Sequence, residues 1–131
     1  MKFWMLTAKK EIKVTQQDID DIMVSALEGG ICYWCCRAEV VGEYLGEYAS
    51  EQISRSGELK LHVFEPWDDD ETEVWTLTRE KLLHGIKKAY DEGYYADYEW
   101  CDGKTIDCCQ VDAEVADVIV QLALFDEVVY G

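Results

Sequence analysis

Polar and apolar positions along this chain follow two periods, and residues that start or stop helices stand where the period changes. Glu11-Ile12-Lys13-Val14 alternates in the manner of a short strand. Thr15 then reads as an N-cap, with Asp18 at the third helical position to meet the exposed amides and the helix dipole. Ile19, Ile22, Met23, Ala26 and Leu27 recur at helical spacing, while Asp18, Asp20, Asp21, Ser25 and Glu28 fall elsewhere, and Gly29-Gly30 ends the helix. Residues 31–41 are rich in aromatic, cysteine and β-branched types and read as a strand or hairpin arm. The stretch 44–56 is ambiguous, with a short helix predicted over 49–53.

Leu59, Leu61 and Val63 alternate with Lys60 and His62, which predicts a strand. Pro66-Trp67-Asp68-Asp69-Asp70-Glu71 is a turn, and Glu73-Val74-Trp75-Thr76-Leu77 answers as a second strand, giving a hairpin over 58–77. Thr78 caps a second helix with Leu82, Leu83, Ile86, Ala89 and Tyr90 on its core face, and Gly93 closes it. Residues 94–110 are irregular and dense in aromatics and cysteine. Asp112 caps a third helix carrying Val115, Val118, Ile119, Leu122 and Ala123; Val120 and Leu124 add apolar surface off that face, so this helix is predicted to be the most buried. Glu127-Val128-Val129-Tyr130 reads as a final strand. The predicted fold is α+β: three helices packed on a small, mostly antiparallel sheet, in a single domain over 1–131.

Composition narrows the function. With 131 residues and 49% apolar content the chain is long enough to bury a core. It holds no apolar run of about eighteen residues, so no membrane-spanning helix is expected. The apolar run within 1–10 is too short for a signal peptide and ends in Lys9-Lys10, so a cytoplasmic location is expected. Asp and Glu number 28 against 12 Lys and Arg, a net charge of −16. Direct nucleic-acid binding and attachment to anionic membranes are disfavoured by that charge. A basic protein surface would attract it, and basic surfaces are often built to hold nucleic acid; the plainer alternative is a charge that serves solubility alone.

Six cysteines fall in two clusters: Cys32, Cys35 and Cys36, then Cys101, Cys108 and Cys109. In a chain expected to stay in a reducing compartment, metal binding, burial or redox chemistry is a better reading than a disulfide framework. A tetrahedral zinc site draws on two near pairs, and Cys32 and Cys35 with Cys101 and Cys108 would supply one, with Cys36 and Cys109 as substitutes. Such a four-thiolate zinc is structural, since it leaves no position for water or substrate, and it would pin the 94–110 segment.

No catalytic constellation stands out. His62 lies on the polar side of a predicted strand and His84 off the apolar stripe of the second helix; no Gly-x-Ser-x-Gly elbow or phosphate-binding glycine loop is present. The acidic runs at Asp18–Asp21 and Asp68–Glu71 lack the spacing of a calcium loop. The expectation is a protein that is not an enzyme.

The run from Val14 to Cys35, the stretch Val40-Val41-Gly42-Glu43-Tyr44-Leu45-Gly46-Glu47-Tyr48 and the ending from Gln121 to Gly131 resemble small acidic proteins of phages and mobile elements of Firmicutes. That group includes anti-CRISPR inhibitors, among them a zinc-containing inhibitor of the type II-A effector nuclease. Cys32 stands where that pattern has Asn, and the 101–109 loop is a local addition, so zinc would belong to a subgroup. The resemblance implies an inhibitor, acting in the cytoplasm of a bacterial host, that binds a basic nucleic-acid-handling surface of a CRISPR effector nuclease and blocks guide or target DNA. The carboxylates expected to carry the contact are Asp18, Asp20 and Asp21 on the first helix and Asp68, Asp69, Asp70 and Glu71 at the hairpin tip, with Trp67 as an anchor. The alternative is a metal-stabilised regulatory or scaffold domain of a mobile element with no nuclease target.

Overall fold

Each long helix begins at the capping residue that the sequence supplies. In the computed structural model, which describes residues 2–63 and 73–131, Thr15 Oγ1 accepts the N–H of Asp18 at 3.0 Å. Asp18 Oδ2 returns the favour to the N–H of Thr15 at 2.9 Å, a reciprocal capping box. Helix α1 (Gln16–Ser25) starts there and widens into a π turn (Ala26–Gly30) before the chain reverses. Thr78 and Asp112 cap α2 (Arg79–Asp91) and α3 (Ala113–Phe125) by accepting the N–H groups of Lys81 and Val115. Caps of this kind are each worth about 1 kcal/mol.

The fold is α+β, as predicted, but its strands form two antiparallel sheets instead of one. Strand β1 (Phe3–Thr7) pairs with β2 (Glu11–Thr15) as an N-terminal hairpin. Strands β3 (Cys35–Val40), β4 (Leu59–Val63) and β5 (Glu73–Leu77) form the second sheet in that order. Leu59, Leu61 and Val63 are fully buried on the core face of β4, while Lys60 is exposed and His62 half-buried on the other. The hairpin predicted over 58–77 is present as the β4–β5 ladder. Its turn at 66–71 lies outside the described residues.

Three local expectations are corrected. Residues 31–34 turn back on the end of α1, with the N–H of Cys35 bonded to the carbonyl of Ile31, so the strand begins only at Cys35. The helix predicted over 49–53 is a single 3-10 turn, Ala49–Glu51. Residues 127–130 join no ladder among the described residues, where the side chain of Gln121 makes the hydrogen bonds that a neighbouring strand would give. Its Oε1 accepts the N–H groups of Val129 and Tyr130, each at 2.8 Å, and its Nε2 donates to the carbonyl of Tyr130 at 3.0 Å.

Helix α3 is the centre of the core, with every residue from Val115 to Leu124 buried. Such a helix is apolar nearly all round and must be covered on every side. One side is closed by α2 at Gly85, where a Cβ would lie 2.3 Å from the carbonyl oxygen of Ile119 and 2.9 Å from the nitrogen of Ala123. The two backbones therefore touch at a point that admits no side chain. Among the described residues no helix is long and apolar enough to cross a membrane.

Gly85→Ala is predicted to force α2 away from α3 and to destabilise the protein by about 2–3 kcal/mol despite its better helix propensity. Denaturant unfolding of the two proteins measures the difference; an unchanged or raised midpoint would contradict the close approach.

Candidate functional site

The fold places the two cysteine clusters at opposite ends of α1. The Cys32 thiol donates to the carbonyl of Leu27 at 3.5 Å, beyond the C-terminal end of the helix. Cys35 and Cys36, at the start of β3, donate to the carbonyls of Arg37 and His62. Cys108 instead donates to Asp18 Oδ1 at 3.2 Å, in the first turn of α1, and Cys101 forms a bridge with Ile106. Asp18 and Leu27 are nine residues apart, roughly 13 Å along a helix axis, against about 2.3 Å for a zinc–sulfur bond. Cys32, Cys35, Cys101 and Cys108 are thus not assembled into one tetrahedron here, and neither Cys36 nor Cys109 repairs the set. Among the described residues no three His, Cys, Asp or Glu side chains are grouped as a metal site.

What holds the 94–110 segment is an indole. Trp100 is 2% exposed and donates Nε1–H to the carbonyl of Tyr94 at 2.9 Å, closing the loop on itself. The carbonyl of Trp100 accepts the N–H of Asp107, and Ile106 and Val111 are buried beside it. Asp102 Oδ1 accepts the N–H groups of Lys104 and Thr105, a tight turn that also holds the Asp102 carboxyl below the usual range. The N–H of Lys13 bonds to the carbonyl of Lys104, docking the segment on β2.

The α1 carboxylates named from sequence are turned to internal work. Asp18 is shared between the capping box and the Cys108 thiol. Asp20 accepts the Ser54 hydroxyl at 2.6 Å and lies 3.7 Å from Arg55. Asp21 accepts Gln17 Nε2 at 2.9 Å. Trp67, Asp68, Asp69, Asp70 and Glu71 lie outside the described residues.

The densest run of exposed carboxylates is elsewhere. Between positions 91 and 117 the chain carries nine acidic residues (Asp91, Glu92, Asp97, Glu99, Asp102, Asp107, Asp112, Glu114 and Asp117) and one cation, Lys104, a net −8 that is half of the whole. All but Asp91 and Asp117 are exposed. The side-chain carboxylates of Asp97 and Glu99 have no hydrogen-bond or ion-pair partner among the described residues, although the Glu99 N–H bonds to the carbonyl of Ala96.

This segment borders a cleft of about 750 Å³ between the π turn, the end of α2, the start of α3 and the C-terminal tail. Tyr33, Tyr94, Tyr95 and Tyr130 line it together with Glu92, Glu114 and Asp117. Gly30 lets the π turn approach α3, since a Cβ there would stand 2.6 Å from the carbonyl oxygen of Ala113. Asp117, 8% exposed, accepts Trp34 Nε1–H at 2.7 Å and Gln121 Nε2 at 2.9 Å on Oδ1, and the Tyr33 hydroxyl at 2.6 Å on Oδ2. Trp34 stacks on Tyr130 with centroids 5.4 Å apart, tying the tail to the same hub. Burial and then the hydrogen bond to Asp117 push the Tyr33 hydroxyl up to about 12. Tyr95 is raised by burial and then by Glu114, Asp112 and Asp117, and Tyr98 chiefly by Glu114, so the cleft and its rim lie in a negative field.

Sequence reasoning did not single out Asp117, Gln121 or the tyrosines. The signal was available in one place: Asp117 and Gln121 are the polar pair, four residues apart, inside an otherwise apolar run. Comparison with protein-family models, curated proteins and solved structures returned no match, so the site is read from its own geometry.

Burial raises the Cys35 and Cys108 thiols, whereas Cys32, Cys36 and Cys109 are exposed. Alkylation of the native protein, read by mass spectrometry, is predicted to label Cys32, Cys36 and Cys109 first and Cys35 and Cys108 only on unfolding. A chelator is predicted to leave the melting temperature unchanged, and Trp100→Ala to cost about 3–5 kcal/mol. A melting temperature that depends on zinc would show that sulfur, not the indole, secures the segment.

Proposed function

We propose that this protein acts by binding, presenting the carboxylate face of residues 91–117 to a cationic surface on another protein. The observation that carries the reading is the uneven distribution of charge: half the net charge sits on one continuous segment, most of it exposed, and three of its carboxylates line a tyrosine-lined cleft. Solubility alone asks for dispersed charge and does not ask for aromatic rings among it. Carboxylates fixed on a framework meet Lys and Arg clusters as phosphates do, and they steer a fast encounter. Tyrosine among them supplies rigid contact area at low entropic cost.

The resemblance to small acidic proteins of phages and mobile elements narrows the cationic partner to the nucleic-acid-handling groove of a type II CRISPR effector nuclease, where the bound protein would compete with guide or target DNA. The contact moves from the α1 carboxylates to the 91–117 segment, because Asp18, Asp20 and Asp21 are half-buried whereas seven of the nine acidic residues of that segment are exposed. This reading requires no metal.

Co-purification with a panel of type II effectors, followed by competition against target DNA, tests the proposal. Binding is predicted to weaken by at least about tenfold between low and high salt, and the double charge reversal Asp97→Lys, Glu99→Lys to weaken it by a similar factor at low salt. Both side chains are exposed and unpartnered, so the variant should fold normally. Affinity that stays flat with salt, or is untouched by the reversal, would sink the electrostatic reading.

A further inference from the structure

The cleft beside Asp117 has a chemistry narrower than that of the acidic face around it. Its volume of about 750 Å³ lies within the range of small-molecule and side-chain binding pockets. Four tyrosines offer ring surface, three carboxylates line the same space, and no Lys or Arg is among the lining residues. Asp117 is the unusual member. It is almost wholly buried, three neutral donors hold it, and no ion pair among the described residues reaches it. Its Oδ1 already takes two hydrogen bonds and its Oδ2 takes one, so Oδ2 keeps capacity for a further donor.

From this geometry we infer that the cleft is a receptor for an arginine side chain presented by the partner protein. The inference rests on the binding function proposed above and names the group that its central pocket reads. A guanidinium is planar, stacks on tyrosine faces and donates through a fork that suits carboxylates; an ammonium is a compact, strongly hydrated point charge that uses ring surface less well. Glu92 and Glu114 are exposed on the rim, where they would meet the cation before it reaches the buried oxygen. Glu114, Asp112 and Asp117, which after burial help to raise the Tyr95 phenol, favour a cation beside it. The site is also formed in advance, because Gln121 clamps the tail and Gly30 seats the π turn on α3. Preorganisation of this kind lowers the entropy lost on binding.

The test is a titration of the ¹⁵N-labelled full chain with N-acetyl-L-arginine amide, using N-acetyl-L-citrulline amide as the neutral isostere. The reporter is the indole N–H of Trp34, which donates to Asp117 Oδ1. Arginine amide is expected to move that resonance saturably. Citrulline amide is expected to bind at least about fivefold more weakly, and Glu114→Gln to weaken arginine binding about threefold, the scale of one partly exposed charge contact. The inference is overturned if citrulline amide moves the Trp34 signal as well as arginine amide does. It is equally overturned if arginine shifts are unsaturable and scattered over the whole acidic surface. Saturable arginine binding without capture of any effector would sink the choice of partner and leave the cleft standing. Effector capture at full strength by Glu114→Gln, with citrulline matching arginine, would sink the cleft and leave the wider acidic face standing.

Discussion

A carboxylate set inside the core, with no ion pair among the described residues, is the constraint from which most of this architecture follows. Such a group is costly to bury unless its oxygens are bonded. Asp117 meets the requirement with an indole, a carboxamide and a phenol, drawn from residues as far as 84 positions away. Trp34 has to lie against α3 to reach it, so residues 31–34 fold back as a turn and the strand that follows starts late. Gln121 stands one helical turn below Asp117 on the same face, and its remaining donor and acceptor capacity fastens the tail at Val129 and Tyr130. The opposite need, close packing against α2, is met by Gly85. One helix thus fixes two segments that are distant in sequence together with the tail that follows it, and the cleft is the space left between them.

A different means holds the acidic segment. Residues 94–110 have almost no regular secondary structure, and a chain with so few ladder bonds usually needs a staple. Here the staple is a buried aromatic residue with its N–H satisfied by the loop's own carbonyl, reinforced by a short Asp-anchored turn and one backbone bond to β2. Because this support comes from the interior side and from backbone groups, the carboxylates at 97 and 99 take no part in it and remain outward.

The readable parts of the sequence were those governed by local rules. Thr15, Thr78 and Asp112 each cap the helix that their position announces, and the alternation of Leu59, Leu61 and Val63 is buried as its period requires. Strand β1 was hidden because Phe3-Trp4-Met5-Leu6 is apolar at every position. Its two faces differ in burial, with Trp4 and Leu6 half-covered and Phe3 and Met5 exposed, but not in residue type. The tail at 127–130 has strand composition yet finds a side chain where a neighbouring strand would be. Cysteine spacing counts residues along the chain, whereas in the structure Cys32 and Cys108 lie against opposite ends of α1. The tyrosines of the cleft come from turns and loop ends, where no period exists to mark them.

Long-range charge and short-range shape have separate consequences for a surface of this kind. Nine carboxylates and one lysine over 27 positions repel one another in the free protein. A cationic partner therefore gains by attraction and also by relieving that repulsion, and both gains shrink as salt screens them. Neither gain discriminates between one basic surface and another, since the field at a distance registers only total charge. Discrimination has to come from a contact that works at van der Waals range, where ring faces suit a planar guanidinium better than a strongly hydrated ammonium. The tyrosine walls and the buried oxygen of Asp117 are the part of the molecule with that property. A basic surface lacking an arginine at the right place would then be attracted and released, while one bearing it would be held.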